Sequence, residues 1–393
     1  MTSPKVDQAN DELLAFLRTK RWFGDKARTI RAVSVRDSVP VEWPNSDKPF
    51  SVMRVDVQLD EGTSTYQVFI ERGTGRINDA LEDPDFLRGL IDAFVQDLAF
   101  EEGEGGVRWQ FRSEGKGTLV APPSAVIRLS SAEQSNSSVI VDGQAILKLF
   151  RKLATGTHPD VEVTRFLTID RQFVHVPVLL GTITFEDAQE KESTVAGMLQ
   201  ELVPGAVDGW TYALAASRAY CGGRGDAAMP PFAVDADQLG TITRAMHETL
   251  ASGDPGSDFE RRPVDDSDLR AWTTQTRETI ERAADSLRRA LSTGSVPARS
   301  VEQAKSVVEA STRFVDRLSD GALAPGSDRG SKTRTHGDYH LGQVIRSSAG
   351  QFLIIDFEGE PGRPLYERRL KRSPLQDVAS MMRSFHYAAH AAL

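Results

Sequence analysis

Residues 335–361 read THGDYHLGQVIRSSAGQFLIIDFEGEP. In this string Asp338 is followed five residues later by Gln343 and eighteen residues later by Asp356. Asp356 closes the apolar run 351–355, so its carboxylate is expected at the carboxyl end of a strand. Transfer of a phosphoryl group asks little of a protein. One carboxylate must orient or deprotonate the attacking hydroxyl, and oxygen ligands must hold Mg²⁺ against the nucleotide phosphates. An amide carbonyl is a hard oxygen donor, so Gln343 can act where an asparagine would, with one more methylene of reach. The bland alternative makes HGD a turn and Asp356 a strand cap. The full pattern, HGDxxxxQ and then an apolar strand ending in DFEG, is more specific than that alternative requires.

Protein-kinase catalytic loops separate their base and their amide metal ligand by the same five residues, and their other expected groups lie upstream. Lys148 sits in the apolar run AILKLF, as a phosphate-pairing lysine would. Glu162 follows fourteen residues later, early in an expected helix, and is expected to form an ion pair with Lys148. No GxGxxG or Walker motif occurs. The polar stretch SSAEQSNSS at 130–138, with Ser135, Asn136 and Ser137, occupies the place of the phosphate loop, where hydroxyls, amides and backbone N–H groups can cradle phosphates without glycine. Gln200 to Leu202, just before Pro204 and Gly205, fits a hinge strand whose backbone would bind adenine.

The elements that must position these groups follow from periodicity. Leu13, Leu14, Phe16 and Leu17 share one face of a helix over 11–20. Alternation predicts strands around Val55–Leu59, Tyr66–Ile70 and Val107–Phe111, with a helix over 85–98 between the last two. The glycine-rich 101–106 reads as a turn, and Pro122 and Pro123 mark an edge. AVIRL, SSVIV and AILKLF are short strands, the last two joined by a hairpin at Asp142 and Gly143. A helix over 159–170 and the strands VPVLLGTITF and STVAGMLQELV complete that block. Helices are expected over 209–219, 235–250, 266–291 and 299–318, with a connector over 321–331. Val378, Met381, Met382 and Phe385 have core spacing on a last helix. The expected division is 1–120, 121–203 and 204–393.

Composition sets the limits. The 393 residues suffice for two or three units, and 39% hydrophobic with 26% charged residues is ordinary for a globular chain. The net charge of -9 comes without a clustered basic face, which excludes nucleic acid as the expected partner. Cys221 is alone, so no internal disulfide forms and a reducing compartment is expected. No signal core stands at the amino terminus and no run approaches a membrane span, so the expected location is cytoplasmic.

HGDYHLGQV together with DFEGEPGRPLYERRLKRSPLQDVASMMRSFHYAA resembles the bacterial maltokinases, relatives of the aminoglycoside phosphotransferases. EQSNSSVIVDGQAILKLFRKL resembles their nucleotide-binding lobe, and RWFGDKARTI resembles the start of their amino-terminal cap. The resemblance implies an α+β, bilobal protein-kinase-like fold: an α/β cap, a β-rich nucleotide lobe and a mainly helical catalytic and sugar-binding lobe. It implies ATP-dependent conversion of maltose to maltose 1-phosphate, a step of α-glucan synthesis, with Asp338 as base and Gln343 and Asp356 as Mg²⁺ ligands. Lys148 and Glu162 would then position the phosphates, and a trehalose synthase could be a partner. For the sugar, His336, Glu358, Glu360, Arg368 and Lys371 are candidates, against a solvated basic loop for the cations and a bracing role for His336. Trp22, Trp109, Trp210 and Trp272 could stack on a sugar, but core packing is the expected fate of each. Chains of that family continue with further helices beyond the stretch matching SFHYAA, whereas this sequence stops at Leu393. The alternatives are a kinase for another sugar or aminosugar such as glucosamine, an aminoglycoside kinase, and a pseudokinase or interaction module.

Overall fold

The computed structural model describes residues 4–73, 77–103, 106–115, 122, 124–130, 135–141, 143–187, 189, 193–222, 231–320 and 329–393. Expectations that fall on Glu104, Gly105, Pro123, residues 131–134 of the phosphate loop, Asp142 of the hairpin and residues 321–328 of the connector lie outside the described residues. The chain divides into two compact units. One holds Met1–Leu250, Thr335–Leu370 and Leu375–Leu393; the other holds Ala251–Arg334 and Lys371–Pro374.

The first unit begins with the helix Pro4–Thr19 and an antiparallel meander of Ile30–Val41, Phe50–Leu59 and Thr63–Glu71. Leu13 and Leu17 of the helix, with Trp22 and Phe23 after it, bury against Val55, Val57 and Tyr66. Asp25 of RWFGDK accepts from the Tyr66 hydroxyl at 2.6 Å. The meander is extended by Lys152–Leu153, which pairs with Thr65 and Tyr66. In the helix Pro84–Val95 the Asp83 carboxylate accepts from the N–H groups of Asp85 and Phe86, and Pro84 sits where no donor is needed. Gly89 of that helix lies against the Trp43 ring, which would stand 2.2 Å from an added Cβ.

A second, seven-stranded sheet runs in the order Ala99–Glu101, Arg108–Ser113, Leu179–Glu186, Thr194–Glu201, Ala145–Phe150, Asn136–Val141, Ile127–Leu129. It holds strands from both sides of residue 120, so the expected division there falls within one sheet. The helix Pro159–Arg165 and its π-helical continuation Phe166–Asp170 follow the lysine strand. The rest of the unit is mainly helical, with Gly209–Cys221, Pro231–Leu250 and Leu375–Ala392 around a small sheet of Val207–Asp208, Val344–Arg346 and Phe352–Ile354. A lysine strand, a helix after it and a loop–strand–Asp segment downstream make this α+β unit protein-kinase-like. On the last helix Met381 is buried, but Val378 is 37% and Met382 66% exposed, so the expected apolar face is only partly core.

The second unit is built on the helices Asp266–Ser292 and Val301–Asp320, which pack on each other. Asp265 and Asp268 form a capping box at the start of the first. Arg262–Pro263 pairs with Ser331–Lys332, and Thr333 pairs with Arg372. Among the described residues, no helix is long and apolar enough to cross a membrane.

Candidate active site

Lys148 is placed by strand alternation. Ala145, Leu147 and Leu149 are buried in the core cluster, which turns Lys148 to the opposite face. Its Nζ lies 2.8 Å from Asp160 and 2.8 Å from Asp356, and 3.5 Å from Glu358. Burial alone would lower the lysine pKa, but the three carboxylates outweigh it and hold it well above its ordinary value. The expected Lys148–Glu162 pair is not formed. Glu162 binds Arg369 instead, at 2.7 and 3.0 Å. The reason is helical phase. The helix starts at Pro159, and residues two apart point about 200° from each other around the axis, so only one of Asp160 and Glu162 can meet the strand. Asp160 is fully buried and its second oxygen accepts from the Phe357 N–H at 2.8 Å, which ties the helix to the DFEG turn.

Asp356 adopts φ +68°, a backbone conformation that costs a non-glycine residue energy and that tends to collect at functional sites. Burial pushes its carboxyl up, but Lys148 and a hydrogen bond from Gln343 prevail and hold it below the usual range. Gln343 and Asp356 are therefore adjacent, as two hard oxygen donors must be to share a cation, and the Ile355 N–H donating to the Gln343 carbonyl at 3.0 Å keeps them so. Asp160, Asp356 and Glu358 also bring carboxylate oxygens within 4.8 Å of one another. This donor set fits Mg²⁺ by chemistry.

The loop carrying Asp338 is clamped from beneath. The Asp377 carboxylate accepts from the backbone N–H groups of His336 at 2.9 Å and Gly337 at 3.0 Å, and His247 Nε2 lies 2.9 Å from it. Burial raises the Asp377 pKa, but His247 and the backbone donors outweigh it and the net shift is downward. Gly337 has φ +85°, and an added Cβ would stand 3.3 Å from the Gly359 Cα, so the loop needs glycine at this crossing. His336 is buried, with Nε2 3.0 Å from the Ile355 carbonyl and Nδ1 facing the Asp338 N–H at 3.4 Å. One neutral tautomer makes both bonds, so His336 braces the loop and its expected contact with sugar is not what its surroundings support. The Asp338 carboxylate itself is 35% exposed and open to an incoming hydroxyl.

The other expected residues divide. The Asn136 side chain donates to Glu358 at 2.8 Å, on the Lys148 side of the sheet. Ser137 is fully buried and its hydroxyl accepts from Arg151 at 2.8 Å. The strand starts at Asn136, so alternation turns Ser137 inward and removes its hydroxyl from any phosphate. Ser135 is exposed just before that strand. Gln200, one residue before the end of its strand, is buried and paired with Ile146. The Leu202 N–H donates to the Gln144 carbonyl at 2.9 Å, so that amide serves the strand end and not adenine. Burial raises the Glu358 carboxyl, with Lys148 opposing and Asp356 and Asp160 adding to the rise. Arg368 donates to the carbonyls of Arg363 and Pro361 and so holds its own loop, while Glu360 binds Arg363. Lys371 belongs to the second unit, where it donates to the Ser257 carbonyl at 3.0 Å. Asp160 and Asp377 were missed. The helix start at Pro159 was legible, but the helix's phase against the lysine strand was not, and nothing local distinguishes Asp377 from an ordinary first-turn acid.

The Phosphotransferase enzyme family matches residues 126–385, and the chain belongs to it; the maltokinase N-terminal cap domain matches residues 16–87. A glucosamine kinase of Mycolicibacterium smegmatis is 33% identical over 261 residues, covering 66% of this chain and 58% of that protein. A glucosamine kinase of Streptacidiphilus jiangxiensis is 29% identical over 257 residues, covering 65% and 53%. The chain thus spans little more than half the length of these curated relatives. Among solved structures, a glucosamine kinase (crystal form B) superposes over 100% of this chain and 80% of its own, with TM-score 0.68 and 21% identity. A glucosamine kinase in complex with glucosamine, ADP and inorganic phosphate covers 92% and 75%, with TM-score 0.63 and 21% identity. Likeness at that identity speaks for the fold.

Proposed function

We propose that this chain transfers the γ-phosphoryl group of ATP to a hydroxyl of a small sugar. The observation that carries the reading is the meeting of Lys148 with Asp160 and Asp356 at 2.8 Å each, in the same unit as the clamped Asp338 loop. Lys148 neutralises phosphate oxygens, and Asp160 keeps it aimed. Asp338 accepts the proton of the sugar hydroxyl while that oxygen attacks the γ-phosphorus in line. A phosphorus–oxygen bond forms, the bond to the bridging oxygen breaks, and ADP leaves with that electron pair. Gln343 and Asp356 would hold Mg²⁺, which supplies charge neutralisation on the phosphates. His336, Gly337 and Asp377 fix the loop so that the base needs no rearrangement in the reaction.

Glucosamine is the first acceptor to test, because the two curated relatives described above are glucosamine kinases. Maltose, phosphorylated at its anomeric hydroxyl, is the second, favoured by the maltokinase cap match over 16–87. Because attack forms O–P and spares C1–O, the sugar's anomeric configuration would be kept. ADP release with Mg²⁺-ATP across glucosamine, maltose, glucose and an aminoglycoside, with the product read by phosphorus NMR, separates these. Sugar-dependent turnover supports the reading; ATP binding without turnover on any acceptor refutes it. The resemblance to maltokinases also supports association with a trehalose synthase, which co-purification tests.

A further inference from the structure

The loop that carries Asp338 exposes a second polar side chain, His340. Tyr339 between them is fully buried, its hydroxyl 2.8 Å from that of Thr243. Leu341 is buried too, and its N–H donates to the Ser384 hydroxyl at 3.1 Å. Anchored at 339 and 341, the chain turns Asp338 and His340 outward, with side chains 35% and 41% exposed. His340 Nε2 lies 3.8 Å from an Asp338 carboxylate oxygen, too far for a hydrogen bond. Among the described residues neither atom has a hydrogen-bond partner, and neither is shut off from solvent. Both therefore face whatever enters beside Asp338.

The imidazole is held in one tautomer. A backbone N–H can only donate, and that of Gly342 reaches His340 Nδ1 at 3.0 Å, so the neutral ring carries its proton on Nε2. Gly342 also makes the seat, since a Cβ there would stand 2.8 Å from the ring's Cε1 and 3.0 Å from Nδ1. The result is a fixed N–H donor next to a carboxylate acceptor. One oxygen atom can lie about 2.8 Å from both across the gap between them. We propose that His340 is a second acceptor-contacting residue, whose Nε2–H donates to the hydroxyl oxygen that Asp338 deprotonates. This rests on the phosphotransfer reading and deepens it. A hydroxyl oxygen has one proton and two lone pairs. The proton goes to Asp338, one lone pair accepts from Nε2–H, and the other forms the bond to the γ-phosphorus. The bond from phosphorus to the bridging oxygen breaks and its electron pair leaves with ADP, while His340 keeps its own proton. With two of its three directions fixed by the protein, the oxygen has its attacking lone pair aimed before phosphorus is reached.

The test is coupled ADP release by His340→Asn and His340→Gln, with glucosamine as acceptor, or maltose where glucosamine is not turned over. An Asn oxygen can accept from the Gly342 N–H as the imidazole does, which keeps the cap and removes the donor. The Gln amide nitrogen extends to the place of Nε2. Both variants are expected to melt with the wild type and to bind a non-hydrolysable ATP analogue with Mg²⁺ equally well in calorimetry. In His340→Asn kcat is expected to fall about 10–100-fold, and His340→Gln to recover it to within about fivefold of the wild type. Turnover by His340→Asn within about twofold of the wild type overturns the proposal. So does a loss of analogue affinity that accounts for the whole fall, which would make His340 a cap of the loop alone, or a His340→Gln no better than His340→Asn. These failures beside an active wild type leave the phosphotransfer reading standing, whereas a wild type without turnover on any acceptor refutes both.

Discussion

Replacing Asp160 with asparagine removes one of the carboxylates that hold Lys148 while keeping the side-chain oxygen that accepts from Phe357 N–H. Breaking a buried ion pair from one side costs about 3–5 kcal/mol. Lys148 would keep Asp356 at 2.8 Å and Glu358 at 3.5 Å, which offsets roughly half of that. The remaining ~2 kcal/mol falls on the complex in which Lys148 must face phosphates, and it corresponds to a drop of about 30-fold in kcat/KM. Glu162→Gln is the matched control. Its bridge to Arg369 has a cation that is 28% exposed, so its loss costs at most about 1 kcal/mol of stability and leaves kcat/KM within about threefold. Both variants are measured by coupled ADP release on the best acceptor, with ATP varied at saturating sugar. If Glu162→Gln falls as far as Asp160→Asn, or Asp160→Asn is unchanged, the assignment of Asp160 as the lysine's partner is wrong.

Asp338→Asn is expected to retain ATP binding in a titration and to lose about 10²–10⁴-fold in kcat; retained turnover removes it from the role of base. Asp377 has a lowered pKa, so its stabilising contribution is present above the ordinary aspartate range and disappears as pH falls through its own titration. Asp377→Asn should therefore melt below the wild type at pH 7, by about 2 kcal/mol, with the gap closing under about pH 4. A gap that is constant with pH refutes the clamp. Gly89→Ala drives a methyl into the Trp43 ring and should cost about 1–3 kcal/mol in thermal unfolding, with an unchanged melt showing that the ring moves aside freely.

The downstream half of the site was legible because its residues are close in sequence. From Asp338 to Asp356 the spacing is set by one loop and one hairpin, so the pattern HGDxxxxQ and DFEG carries the geometry with it. What sequence could not supply was phase. A shift of two residues separated Asp160 from Glu162, and a strand start at Asn136 decided that Ser137 faced Arg151. The strand Ile30–Val41 escaped notice because register shifts at Ile30/Ala32 and Val35/Asp37 break its alternation, leaving no single face to read. Asp377 contacts backbone groups some forty residues earlier, and nothing in local periodicity announces a contact of that span.

The extension of the first meander by Lys152–Leu153 bears on how the chain is made. During synthesis the strand Thr63–Glu71 finds Asn78–Asp79 for its last residues almost at once, but the partner of Thr65 and Tyr66 comes some eighty residues later. Arg151 must then reach the Gln67 carbonyl and lie over the rings of Trp22 and Phe69, and the Gln67 side chain waits longer still for the Ala196 carbonyl. Arg54, 1% exposed, is paired early by Asp37 and fully only once Asp187 arrives. The meander therefore cannot finish folding on the ribosome ahead of Lys152–Leu153. A gene fragment cut between them would yield a protein with an open edge and polar groups buried unpaired, which is the recipe for aggregation.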